Sequence, residues 1–314
     1  MAKIAVALDR ALEERSLNGT AGQLTARLLA HGDGWTVEDV VCTSGPEDES
    51  FEERHSSFRV VVVCAGSFQY RSGHGRELMT PGSLLLGNAG QSFECGHEHG
   101  AGDRCLSFGY APDYFERLAA DVGVRSGSAR FEPLRVPPLR ALAPIVSRAC
   151  SALIRSNAEP RTVDWEELVV MLAAQAVQLA GATARAAGPP STEARVTRAV
   201  RAIDHDPAAP LTLRDLALQA RLSPFHFLRT FEGLTGLTPH QYIRRARLRE
   251  AAMRLATERS SILEVALACG FGDVSNFNRA FRSEFGLAPR AHRESSRAGP
   301  VLRGSGMRTV ETRR

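Results

Sequence analysis

At 314 residues, with 43% apolar and 24% charged side chains, the chain is too long for one small domain and suits two or three cores. No run approaches the ~18 uninterrupted apolar residues of a membrane span, and the apolar stretch Ile4–Leu8 is cut short by Asp9 and Arg10 before it can serve as a secretory signal. Six widely spread cysteines do not form the framework of a small secreted domain, so a cytoplasmic chain with reduced thiols or thiolate ligands is expected.

The net charge of +4 conceals an asymmetry. Residues 1–190 contain 18 Lys+Arg against 23 Asp+Glu, whereas residues 191–314 contain 21 against 12. A carboxy-terminal third this basic points to a polyanionic partner.

The first 33 residues read ambiguously, with a helix through Leu24, Leu28 and Leu29 as the nearest pattern. Short strands follow at Thr36–Cys42, Phe58–Cys64, Ser67–Arg71, Ser83–Leu86, Gln91–Cys95 and Arg104–Phe108, separated by Gly, Pro and Asn punctuation. Such a series suggests a small barrel or sandwich. Helices are expected over Leu139–Arg155 and Val163–Ala180. In the second, Leu168, Leu172, Ala176 and Leu179 form an apolar stripe that can pack on the barrel or on a second subunit. The expected divisions are a strand-rich domain over 1–135, a helical segment and candidate dimerisation element over 136–182, and a linker over 183–192. A helical domain over 193–294 and a disordered basic tail over 295–314 complete the chain.

Within the helical third, the stretch from Leu213 repeats from Ile262. Asp215, Leu216, Ala217 and Leu222 meet Glu264, Val265, Ala266 and Phe271 at an offset of 49; Phe227, Arg229, Phe231, Gly236, Leu237 and Pro239 meet Phe277, Arg279, Phe281, Gly286, Leu287 and Pro289 at 50. Each copy has a short helix, a tight turn and a second helix opened by a capping residue, Ser223 or Asp273. That is the pattern of a helix-turn-helix, whose second helix enters a major groove. Between the copies a helix from Thr238-Pro239 to about Ala256 carries Arg244, Arg245, Arg247, Arg249 and Arg254. Its ~19 residues span roughly 28 Å, close to the ~34 Å between successive major-groove faces.

The segments "TGLTPHQYIRRARLREA" and "EVALACGFGDVSNFNRAFRSEFGLAP" resemble the arabinose-regulator (AraC/XylS) family of transcription factors over about residues 192–294. The resemblance implies a multidomain α+β chain: an N-terminal cupin-like small β-barrel with flanking helices, and a C-terminal all-α module with two helix-turn-helix units. It further implies sequence-specific binding to double-stranded DNA, activation through contact with RNA polymerase, and an effector, a small molecule or a metal, sensed by the N-terminal domain of a homodimer.

With Phe227 and Phe231 inward, the first recognition helix offers Phe225, Leu228, Arg229 and Thr230 to the groove; the second offers Val274, Ser275, Asn276, Asn278 and Arg279. Arginine pairs two-pronged with guanine and asparagine with adenine, while Phe225 and Val274 can meet thymine methyls. The competing role for Arg229 is a salt bridge to Glu232 or Asp215, and partial burial is expected for His226. Gly272, where the family often has a polar cap, leaves Asp273 to open the second helix.

The stretch "ECGHEHGAGDRC" places two cysteines and two histidines within twelve residues. Cys95, His97, His99 and Cys105 form a candidate transition-metal set, which Cys42 and His55 can join if the barrel folds them inward. Gly96, Gly100 and Gly102 argue instead for a mobile turn. An alternative reading is a metal-dependent cupin-type enzyme fused to a DNA-binding module. Against it, Asp103 stands where catalytic cupins usually have a Glu, no suitable third His follows, and neither a GxxxxGK[ST] loop nor a GxSxG elbow offers other chemistry. A regulator without catalytic residues is expected.

Overall fold

The computed structural model describes residues 2–48, 50, 52–98, 100–124, 129–158, 163–180 and 190–297. The chain opens with helix α1 (Ala2–Asn18), followed by strands β1 (Leu24–Gly32) and β2 (Trp35–Cys42) in an antiparallel hairpin. The helix expected through Leu24, Leu28 and Leu29 is therefore a strand. A spacing of four fits both periodicities: Leu24 and Leu28 share one exposed face of the edge strand, 47% and 55% accessible, while α1, ahead of it, buries Ile4 and Leu8 against β4 and β9. Asp33-Gly34, with Gly34 at φ 87°, makes the hairpin turn.

The remaining strands are β3 (Glu52–Arg54), β4 (Phe58–Gly66), β5 (Phe68–Ser72), β6 (Gly75–Met79), β7 (Leu84–Gly87), β8 (Ser92–Gly96), β9 (Asp103–Tyr110) and β10 (Arg135–Val136). They form two sheets, a six-stranded one in the order β1-β2-β9-β4-β7-β10 and a four-stranded one in the order β3-β8-β5-β6. Among the described residues no ladder joins the two, so the expected barrel is an open, two-sheet one. Alternation along β4 divides its valines. Val60 and Val62 face a core shared with the helices, whereas Val61 and Val63 face the second sheet with Phe68 and Tyr70.

Helices α2 (Pro112–Asp121), α3 (Ala143–Ala158) and α4 (Trp165–Ala180) cover the outer face of the larger sheet. Leu168, Leu172 and Ala176 of α4 are buried there beside Trp165 and Val169, and Tyr110 Oη donates to the Val169 carbonyl at 3.0 Å. Each such buried aliphatic side chain contributes about 2 kcal/mol. The stripe offered for dimerisation is thus engaged within the chain.

Helix α5 (Pro190–His205) begins inside the expected linker, because proline suits a first helical position where no N–H bond is lost. Residues 183–189 of that linker lie outside the described residues. Then come α6 (Leu213–Gln219), α7 (Pro224–Thr235), α8 (Pro239–Thr257), α9 (Ile262–Ala268), α10 (Val274–Phe285) and α11 (Pro289–Arg297). The repeat is reproduced down to its caps: Thr212 with Asp215 and Ser261 with Glu264 make reciprocal capping boxes, and Gly236 and Gly286 end α7 and α10 at φ 78° and 75°. α11 takes in residues 295–297 of the expected tail, and 298–314 lie outside the described residues. Among the described residues no helix is long and apolar enough to cross a membrane.

Candidate functional site

The first recognition helix, α7, is opened by Ser223, whose hydroxyl accepts from the His226 amide at 3.3 Å. Phe227 and Phe231 are fully buried with ring centroids 5.4 Å apart, which turns the opposite face outward. Phe225 is 69% exposed, and the Arg229 guanidinium lies 5.9 Å from its ring centroid. Leu228 and Thr230 are half-buried at the margin. Asp215 is occupied by Thr212, and no ion pair ties Arg229 to Glu232 or Asp215 among the described residues. His226 is exposed rather than partly buried, since it projects one residue before the inward stripe.

In α10 the cap falls on Asp273, which accepts from the Asn276 amide at 2.6 Å and so fixes a start that Gly272 left open. Phe277 and Phe281 are buried; Ser275, Asn276, Asn278 and Arg279 are exposed and Val274 is half-buried. Arg282, four residues beyond Asn278 and also exposed, belongs to the same face. Its spacing could have placed it there.

The arginines of α8 have another role. Arg245 pairs with Glu284 of α10 at 3.0 Å, and Arg249 with Asp204 of α5 at 3.3 Å. Arg247 donates to the carbonyls of Pro207 at 2.7 Å and Gly270 at 2.8 Å, bridging the loop before α6 to the turn of the second unit. Arg254 pairs with Glu258, and of the five Arg244 alone is exposed. Arg245 and Arg247 thus tie α8 to the second unit, and Arg247 links that unit to the loop before the first.

In the N-terminal domain a cavity of about 300 Å³ opens between the sheets, lined by Cys42, His55, Cys95, His97, Asp103 and Cys105 among others. Cys42 and Asp103 are direct partners across the β2–β9 ladder, and His97 follows the end of β8. His97 Nε2 lies 2.7 Å from Asp103 Oδ2, and the Cys105 thiol donates to Asp103 Oδ1 at 3.1 Å. Potential ligand atoms of Cys42, His97 and Asp103 all lie within 4.8 Å of one another, and all three residues are buried.

Of the candidate metal set, His97 thus stands in the tightest group, with Cys42 and Asp103 in place of the cysteines of its own segment. Cys95 and Cys105 line the same cavity, and His99 lies outside the described residues. His55 does not join: its ring stacks on Phe93 at 4.0 Å and its Nε2 meets Tyr70 Oη at 2.7 Å. Burial alone would lower the His97 pKa, but hydrogen bonds to Asp103 and Cys42 raise it to about 9. Burial, reinforced by Asp103, pushes the Cys95 and Cys105 thiols well up, whereas it holds His55 down at about 4.

The glycines after His97 serve a packing purpose. Arg201 of α5 donates to the carbonyl of Ala101 at 2.9 Å, and to the hydroxyl and carbonyl of Ser67 at 3.0 and 2.8 Å. A Cβ at Gly100 would stand 2.1 Å from the Arg201 guanidinium carbon, and Gly102 adopts φ 71°. Glycine at these two positions thus meets a close approach and a positive φ.

The family models match two parts of the chain: a helix-turn-helix domain over residues 216–295 and an AraC-like ligand binding domain over residues 40–172. The TetD protein of transposon Tn10 from Escherichia coli is 36% identical over 93 residues, which are 30% of this chain and 67% of TetD. The chain belongs to the AraC family. Within that family, ArgR of Pseudomonas aeruginosa is 31% identical over 112 residues, covering 36% of this chain and 34% of ArgR. RhaS of Klebsiella pneumoniae is 33% identical over 104 residues, covering 33% of this chain and 37% of RhaS. The chain therefore spans little more than a third of the length of these two relatives. Among solved structures, the DNA-binding domain of AdpA in complex with a target DNA is 30% identical, with 33% of this chain and 93% of that one covered and a TM-score of 0.32.

Proposed function

We propose that the protein is a sequence-specific transcriptional activator, acting in the cytoplasm, that grips two adjacent major-groove segments with α7 and α10 and answers to an effector held by its N-terminal domain. The observation that carries this reading is the paired exposed faces around Arg229 and Arg279, each backed by a buried phenylalanine pair and held in register by Arg245 and Arg247 of α8. RhaS is named a transcriptional activator, which supports activation; contact with RNA polymerase is the route we propose for it. A homodimer would use a surface other than the buried stripe of α4. We read the chain as a regulator and assign it no catalytic residues.

The test is selection of bound duplexes from a random pool, followed by footprinting and by transcription with purified polymerase. Protection of two segments about 10 base pairs apart and a rise in transcript are expected. A single protected segment would count against the two-helix grip, and a fall in transcript against activation.

A further inference from the structure

We propose that the N-terminal cavity binds one divalent cation of the zinc class through the Cys42 thiolate, the His97 imidazole and the Asp103 carboxylate, and that residues 100–102, running directly into Asp103, pass its occupancy to Arg201 of the DNA module. The cation site stands on its own geometry; the relay rests on the regulator reading above.

Three donors of sulfur, nitrogen and oxygen converge here from the end of β2, the end of β8 and the start of β9. Such a mixed set suits a borderline cation, and three protein ligands leave a fourth position open. The three ligands line a cavity of about 300 Å³ in which Cys95 and Cys105 also stand. Binding releases the Cys42 thiol proton and the proton shared by His97 and Asp103 to solvent, with no change of oxidation state.

Ligand atoms about 2.0 Å from a tetrahedral ion stand roughly 3.3 Å apart. His97 Nε2 and Asp103 Oδ2 are 2.7 Å apart, so an ion between them must open the pair. Asp103 directly follows the stretch whose Ala101 carbonyl is held by Arg201, and whose Gly100 approaches the same guanidinium. Movement at the site is thereby delivered to the first helix of the DNA module. The plainer role of His97 and Asp103, a buried ion pair that shapes the loop, predicts neither thiolate ligation nor metal-dependent DNA binding.

The test titrates Co²⁺ into the whole, reduced chain after chelator treatment, without DNA, and reads the thiolate-to-cobalt absorption; Zn²⁺ then competes. One equivalent should bind. The thiolate band should be lost in Cys42→Ser and kept in Cys269→Ala, and Asp103→Asn should weaken binding by at least the ~10-fold that loss of a mere outer-shell partner costs. No band, or a band unchanged in both Cys42→Ser and Asp103→Asn, overturns the site; if Cys42→Ser does not fold, the Asp103→Asn titration decides.

A second titration follows binding to the selected duplex with and without Zn²⁺. A change of about 5-fold or more is expected, and it should vanish in Arg201→Ala while cobalt binding persists. Metal binding with unaltered DNA affinity overturns the relay, whereas failure to bind any selected duplex overturns the regulator reading and leaves the cation site standing.

Discussion

Arg245 Nε lies 3.0 Å from Glu284 Oε1, and the two side chains are 14% and 5% exposed. The pair fastens the middle helix α8 to the second recognition helix α10. Removing one member leaves the other charge buried without its partner, so Glu284→Ala should cost about 3 kcal/mol in denaturant unfolding and weaken DNA binding as α10 loses its seat. Unchanged stability would reduce the pair to a spectator.

Loss of the Arg279 or Arg229 side chain should act differently. Each alanine variant is expected to fold with the stability of the parent and to lose about 1–3 kcal/mol of specific affinity, with base choice relaxed at one position. Arg247→Ala, which removes donors to the Pro207 and Gly270 carbonyls, should instead lower stability by about 1–3 kcal/mol. Binding curves on the selected duplex and on single-base variants, set beside unfolding curves, separate the two classes.

Asp204 is expected to make the protein more stable in mild acid. Burial raises its carboxyl from 3.8 to about 6, against the pull of Arg249, Tyr242 and Arg201. The folded chain therefore keeps a proton that the unfolded chain gives up, and this contribution grows as pH falls from about 6 to about 4. The side chain is 20% exposed, so roughly 2 kcal/mol is the expected size. Asp204→Asn should remove that slope; an identical pH dependence in the variant would show that the group titrates normally.

His55 should work in the opposite direction. Burial, aided by the nearby Arg59 charge, lowers its pKa from 6.5 to about 4. The unfolded chain then binds a proton first, and stability falls by about 3 kcal/mol between pH 6.5 and 4. His55→Gln should flatten that loss. Since the windows of Asp204 and His55 overlap, the parent should show a shallow profile and the two variants slopes of opposite sign.

The helical third was legible because its signals are local. Caps, inward phenylalanines and terminal glycines fall at fixed offsets, and the duplicated offset survives in the fold. The role of α8 was not legible, because an arginine that reads as solvent-facing charge becomes a bracket only when the carbonyls of Pro207 and Gly270 are brought to it. At the amino terminus the Leu24/Leu28 spacing satisfies two periodicities, and it is the Asp33-Gly34 turn that decides between them. In the candidate metal set, sequence proximity favoured residues within one segment; pairing of β2 with β9 brought Cys42 to Asp103 from 61 positions away.

The joint between the two modules has a consequence for which changes this chain can absorb. Arg201 grips the N-terminal domain mainly through main-chain oxygens of Ser67 and Ala101, which every amino acid supplies. Substitution of a side chain such as Ala101 leaves this grip in place, as long as Gly100 keeps its hydrogen in place of a methyl group and Gly102 its positive φ. The connector recognises the path of the backbone and is indifferent to most of what hangs from it.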